Sequence, residues 1–365
     1  MSLLRRWITV AGCLLVLTGT SLLMAQAPDA DSDEAGLILQ VARAEDDIRN
    51  SAGLIHDQAL NAYIQGVACR VAAANCPALR LYLVEAPGLR VLALPNGALV
   101  VSSGTLLRTG NEAELAHLLA HEIAHYLHKD TLGQFHRRLD TSSAVALLGV
   151  AASGIGAGFV GTPASMAALG ATYAYSQSEE EAAQRTGFDL AVAAGYDPNA
   201  AAAVWRNADG EFLQRHPSDR RAALLESLAR AAPGGRSWQQ GVDRHTHAIA
   251  PYRDRWVEDE LRQTGNADQV ALFSRLSASG SGLYRYALGE AYRKRGLPGD
   301  MALAEQAFRT ALSSPDAPAL AWRSLGLMAM QMGDKDTART AFARYRAALP
   351  DADDKAMIDY YLKQL

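Results

Sequence analysis

The stretch ELAHLLAHEIAHYLHKDT, residues 114–131, constrains the fold more than any other part of the chain. His121 and His125 stand four apart, and Glu122 directly follows the first of them. Leu115, Leu118, Leu119 and Ile123 recur at helical spacing, and Asn111 with Glu114 resembles a capping box, which predicts a helix running to about Leu127. On a helix, residues four apart return to the same face about 40° round, so both imidazoles can address one ion. Neutral imidazoles suit zinc at roughly 2.0–2.1 Å, and a site that performs chemistry takes three protein ligands and leaves a fourth position to water. Glu122 then falls beside the metal, where it can take a proton from water and hand it on. The same pattern also fits a surface helix with solvated histidines, or core histidines satisfied by backbone. His128 and Thr131 occupy the positions where a longer motif of this kind carries glycine and a third histidine, so a third ligand must come from further along.

A chain of 365 residues, 49% hydrophobic and 20% charged, is long enough for two cores. A formal charge of −4 with no sustained basic block excludes a nucleic-acid footprint and a polybasic membrane patch. Arg5 and Arg6 precede an uncharged apolar run, and Ala25-Gln26-Ala27 offers a small-residue cleavage site. Residues 1–27 therefore read as a secretory signal, with an uncleaved anchor as the alternative because the run is nearly long enough to span. Cys69 and Cys76 remain after the leader, in a compartment that permits a disulfide. Seven residues apart on one helix they would lie roughly 10 Å apart along the axis, too far to bridge, so the helix must stop between them. Asn75 and Pro77 supply that stop; the alternative is two reduced, buried thiols.

Residues 34–74 carry helical spacing, and LRLYLVEA, VLALP and ALVVSSG read as strands joined at Pro87-Gly88 and Asn96-Gly97, a small antiparallel sheet. Residues 141–178 hold no charge, but Gly, Ala and Pro163 divide them into pieces better suited to packed helices or a cover than to a membrane span. The tail repeats itself. Trp322-x-x-Leu325-Gly326, Ala338-x-x-x-Phe342 and Pro350 follow tetratricopeptide spacing, and Gly299-Asp300 and Phe308 recur 34 residues later. Residues 251–279 are expected to form a degenerate first helix pair, and MIDYYLKQL a capping helix.

The chain resembles the zinc metallopeptidases that include the CAAX prenyl protease, HtpX and BepA-type enzymes. The resemblance runs in order through ALNAYIQGVACRV, LPNGALVVSSGTLLRTGNEAELAHLLAHEIAHYL, YSQSEEEAAQRTGFDLAVAAGYDP and FLQRHPSDRRAAL, and the repeat tail matches the BepA type. It implies an α+β zincin-like peptidase domain over 34–245, mostly helical with a small sheet, then an all-α tetratricopeptide domain over 246–365. It implies Glu180 as the third ligand after His121 and His125, in the glutamate run where Glu179 or Glu181 is the neighbouring register. It also implies Glu122 as catalytic base and His216, in RHPSD, as a residue that covers the metal at rest or donates to an oxyanion. Two positions depart from the family: Gln184 replaces an aspartate that partners a metal histidine, its amide oxygen still able to accept from an imidazole, and the strand before LPNG carries Arg90 where the family has asparagine.

These features predict an exported, periplasmic zinc endopeptidase (Zn2+ as cofactor) with a gated site. The resemblance implies misfolded or stalled outer-membrane proteins as its substrates, pairing with the sheet edge near NGALVVSS, and the repeats would dock envelope assembly machinery. Peripheral membrane association fits this picture. The rival is a repeat-based periplasmic chaperone or adaptor with a weak metal site, which Gln184 motivates.

Overall fold

The computed structural model describes residues 30–139, 175–206, 208, 213, 216, 220–235, 237–263 and 266–365. The leader expected at 1–27, and the uncharged stretch from 141 as far as 174, lie outside the described residues. No helix among the described residues is long and apolar enough to cross a membrane.

The helical spacing of 34–74 belongs to two helices, α1 (Ala30–Arg49) and α2 (Gln58–Ala72), with Asp57 capping the second by accepting from Leu60 N at 2.7 Å. Helix α2 stops earlier than the cap expected at Asn75. Ala73 turns left-handed at φ 48°, the chain enters a 3-10 turn at Ala73–Ala78, and Cys76 returns to a Cα–Cα distance of 4.7 Å from Cys69, where the Cys69–Cys76 disulfide closes.

Three strands follow: β1 (Arg80–Val84), β2 (Val91–Ala93) and β3 (Ala98–Ser102). Their order is β1-β3-β2, with β2 antiparallel to β3 and β1 parallel to it, so the sheet is mixed and not wholly antiparallel. The turn at Asn96-Gly97 makes the expected hairpin. The Pro87-Gly88 turn does not lay β2 beside β1, because Ser102 and Ser103 hold its loop at the far end of β3. Ser102 Oγ donates to Gly88 O at 2.8 Å and Ser103 Oγ to Ala86 O at 3.0 Å. All five residues of β3 are buried, and it is paired on both sides. It therefore cannot be the edge that receives a substrate strand, which corrects that expectation for NGALVVSS. The outer edge of β1 is covered by residues 53–55, through Ile55 N to Leu83 O at 2.8 Å and Glu85 N to Gly53 O at 2.7 Å. Among the described residues only β2 keeps an outer edge with no strand beside it.

Helices α3 (Ser103–Arg108), α4 (Glu112–His128), α5 (Asp130–Leu139), α6 (Gln177–Ala193), α7 (Ala200–Arg206), α8 (Arg221–Ala231) and α9 (Val242–Ile249) build the body around this sheet. The tail is helical throughout: α10 (Arg253–Arg262), α11 (Asn266–Ser277), α12 (Gly282–Arg295), α13 (Asp300–Ala311), α14 (Leu320–Met332), α15 (Lys335–Ala348) and α16 (Lys355–Gln364). Pairs α12/α13 and α14/α15 pack by one device. A Cβ on Gly289 would come 2.5 Å from the Phe308 ring, and one on Gly326 2.6 Å from the Phe342 ring, so glycine opens the space that each phenylalanine fills. One hydrophobic cluster runs from Ile55 in the body to Ala341 in the tail. Glu260 on α10 reinforces the junction, accepting from Gly88 N at 2.7 Å and pairing with Arg108.

Glu45 ties α1 to the sheet. Its buried carboxylate accepts from Arg80 Nε at 2.6 Å and Nη2 at 2.8 Å, from Tyr82 Oη at 2.7 Å and from Asn96 Nδ2 at 2.6 Å. The Arg80 guanidinium, against the cost of burial, lowers this carboxyl from 4.5 to about 2. A depressed folded pKa contributes stability that is present above the unfolded value and lost as pH falls through the folded one. Glu45→Ala should cost about 2 kcal/mol near pH 7. Denaturant titrations from pH 7 downward should show its difference from wild type shrinking below pH 4.5 and vanishing toward pH 2.

Candidate metal centre

Asn111 caps α4, its Oδ1 accepting from Glu114 N at 2.9 Å, and every residue from Glu112 to His125 is buried. Its histidines meet α6, which begins in a capping box: Ser176 Oγ accepts from Glu179 N at 3.3 Å, and the Glu179 carboxylate accepts from Ser176 N at 2.9 Å. Glu179 is thereby committed to the cap, and the next residue, Glu180, turns inward with no exposed surface. Close approach of the two helices depends on Gly187, where a Cβ would lie 2.8 Å from His121 N and 2.9 Å from Ala120 C.

The ligand atoms of His121, His125, Glu180 and His216 all lie within 4.8 Å of one another, and all four residues are buried. His121 Nε2 is 3.2 Å from His125 Nε2 and 3.3 Å from His216 Nδ1. Glu180 Oε1 is 3.0 Å from His216 Nδ1 and 3.5 Å from His125 Nε2, and Glu180 Oε2 is 3.4 Å from His121 Nε2. Donors about 2.1 Å from a tetrahedral ion stand roughly 3.4 Å from each other, so these separations and this set of three imidazoles and one carboxylate fit zinc. His216 Nε2 faces the other way, 3.3 Å from Glu122 Oε1.

Charge in the cluster follows from burial and from the groups behind it. Burial lowers His121 to about 3, keeping it a neutral donor. Burial also opposes charge on His125, but Asp130 and Glu180 outweigh it and raise this imidazole to about 9. A cation must displace that proton, which makes metal affinity depend on pH. Burial opposes ionisation of Glu180, yet the three imidazoles hold it well below the usual carboxylate range. Arg221 Nη2 donates to Glu180 Oε2 at 3.2 Å and also to His216 O, while its guanidinium lies 3.8 Å from the centre of the Trp205 ring.

Several neighbours escaped the sequence reading. Asp130 Oδ2 accepts from His125 Nδ1 at 2.7 Å, a carboxylate partner of the kind that Gln184 replaces. The left-handed C-cap at Lys129, φ 58°, brings Asp130 back to the helix it has just left, and an acid five residues after the second histidine was the available signal. Tyr175 stacks on His125 at 3.8 Å, and Trp205 packs edge-on to His121 at 4.9 Å. Gln184 is buried but makes no hydrogen bond to an imidazole; its Nε2 and His121 Nδ1 both lack partners, which corrects the accepting role expected of it. Arg90 is also buried, its Nε turned to Pro87 O at 3.4 Å.

Residues 54–229 match peptidase family M48, whose members use zinc. The chain is 32% identical over 163 residues to the beta-barrel assembly-enhancing protease of Yersinia pestis, covering 42% of this chain and 33% of the relative. It is 30% identical over 164 residues to the protein of the same name in Escherichia coli (strain K12), with coverage of 42% and 33%. The chain thus matches about a third of the length of these curated relatives.

The Asp130 contact predicts that Asp130→Asn loosens zinc by about 10- to 100-fold while the fold persists, since the imidazole loses its charged support. Competition with a chromophoric chelator measures this, and an unchanged dissociation constant would show that Asp130 does not hold the ligand.

Proposed function

We propose, from the premise that residues 54–229 belong to peptidase family M48, that this chain is a zinc-dependent endopeptidase acting on unfolded or misassembled envelope proteins. The observation that carries the reading is the buried convergence of His121, His125 and Glu180 with Glu122 beside them. In this reading the first three hold the metal. Zinc, when bound, supplies a Lewis acid that polarises the scissile carbonyl and acidifies water. Glu122 takes the proton of that water and returns it to the leaving amine.

The open edge of β2 supplies the binding register. Ser102 N donates to Arg90 O at 2.9 Å and Leu94 N to Ala98 O at 2.8 Å, so by alternation Val91 and Ala93 direct their backbone groups away from β3. An extended substrate pairs there, beside α4, instead of along β3. Ala93 also lines a cavity of about 310 Å³ together with His125 and Tyr126, room for a substrate side chain.

His216 serves as a gate in this reading. Its Nδ1 lies among the metal donors and its Nε2 on Glu122, so one side chain occupies both the water position and the base. The helical tail is assigned as tetratricopeptide repeats, supported by the shared Gly–Phe packing of its two helix pairs; it docks proteins of the envelope. Export is supported by the leader-like pattern of residues 1–27, and action in beta-barrel assembly by the names of the relatives alone.

Purified protein should carry one zinc, lost in His121→Ala and Glu180→Ala. Glu122→Gln should keep the metal and lose casein hydrolysis. Substoichiometric zinc with no casein or unfolded-protein cleavage in the wild type would favour the chaperone alternative, in which Gln184 leaves a weakened site.

His216→Ala separates two roles by sign. Removing a resting cover should raise casein cleavage severalfold with zinc retained, whereas removing an oxyanion donor should lower turnover by roughly a hundredfold or more.

A further inference from the structure

A second polar cavity lies away from the metal donors, where the end of α7 meets α3 and α11. Its volume is about 120 Å³, and Arg108, Arg206, Arg275, Asp268 and Leu272 line it. This is room for roughly four waters and well below the volume of about 300 Å³ or more that encloses a whole small molecule, so only one small group enters.

Three guanidinium groups face this space with unequal commitments. Arg108 is paired with Glu260, both side chains at most 5% exposed. Among the described residues, the exposed Arg206 and the half-buried Arg275 form no hydrogen bond and no ion pair within 4.0 Å, and Arg275 Nη2 is buried with no acceptor. Glu114 attracts Arg275 from further away, but its carboxylate accepts from Gly110 N at 2.8 Å and from Asn111 Nδ2 at 3.3 Å. Burial lowers the Arg275 pKa, and Arg108 adds to that effect. A buried cationic donor without an acceptor is costly, and removing the cost takes a group with two or more oxygens and negative charge. Guanidinium forks match the oxygens of carboxylate and phosphate.

We infer that this cleft is a binding site for a small oxyanion, a carboxylate or phosphate group, held by Arg206 and Arg275. The site stands independently of the peptidase reading. It is linked to the metal centre along the chain, because Arg206 follows Trp205, whose ring packs 4.9 Å from that of His121 and 5.9 Å from that of His216. Two sources supply this chemistry: free phosphate, or the terminal carboxylate of a polypeptide.

Isothermal titration of the full chain with sodium phosphate, at constant ionic strength, tests the site directly. One equivalent should bind, Arg206→Gln and Arg275→Gln should each weaken it at least tenfold, and Asp268→Asn should tighten it by removing a repelling carboxylate. Without phosphate, Arg275→Gln should melt no lower than wild type, since it deletes a buried cationic donor that has no acceptor. Acetylated tetra-alanine with a free C-terminal carboxylate, set against its amide, separates the sources: binding by the acid alone identifies polypeptide carboxylate, and phosphate binding with neither peptide identifies the free ion. Absence of saturable binding by phosphate and by the acid would overturn the proposal, as would equal affinity in both arginine variants or a lowered unliganded melting temperature in Arg275→Gln.

Discussion

Glu180 has no contact with solvent, and an ionised carboxylate in that position is tolerable only when surrounded by donors and positive charge. The middle of the molecule is arranged to meet this demand. Helix α4 brings two imidazoles, the His216 segment a third, and α8 a guanidinium at 3.2 Å. The arrangement depends on backbone proximity as much as on charge. Gly187 lets α6 lie against the α4 backbone at His121, and a side chain there would push Glu180 away from the donors it completes.

Around that centre, strand order determines what can approach. With β3 in the middle of the sheet and residues 53–55 covering β1, the backbone groups that remain for a partner are those of β2 beside α4. The loop leading into β2 is gripped from the tail, by Glu260 on Gly88 N and by Arg255 Nε on Glu85 at 2.6 Å. Body and tail also share one hydrophobic cluster. The helical tail therefore helps to fix the loop that positions the open edge.

Much of this could be read in advance. The span of α4, its Asn111 cap and the facing of His121 and His125 follow from local spacing, which is a property of a single helix. The disulfide followed from a reach argument, although the break came at Ala73 and not at Asn75. Glu180 was harder, because three successive glutamates look alike until the Ser176 cap engages Glu179 and rotates its neighbour inward. Asp130 was missed because the direction of a chain after a left-handed cap is a tertiary matter. Sheet order was misread for a similar reason: the Pro87-Gly88 turn carries no mark of whether β2 settles beside β1 or one strand further away.

By itself, then, the sequence determined the elements and the chemistry they carry: a helix with two histidines and a glutamate, repeated helix pairs, and two cysteines that can meet only across a helix end. Hydrophobic period and capping are local, so they survive without knowledge of the fold. Only the tertiary structure decided which buried charges meet. That Asp130 and not Gln184 supports a histidine, that Arg221 answers Glu180, that β2 is the open edge and that Arg206 and Arg275 share one small cavity all depend on packing between segments far apart in the chain. Desolvation and Coulomb attraction act through space, and no spacing along a sequence encodes them.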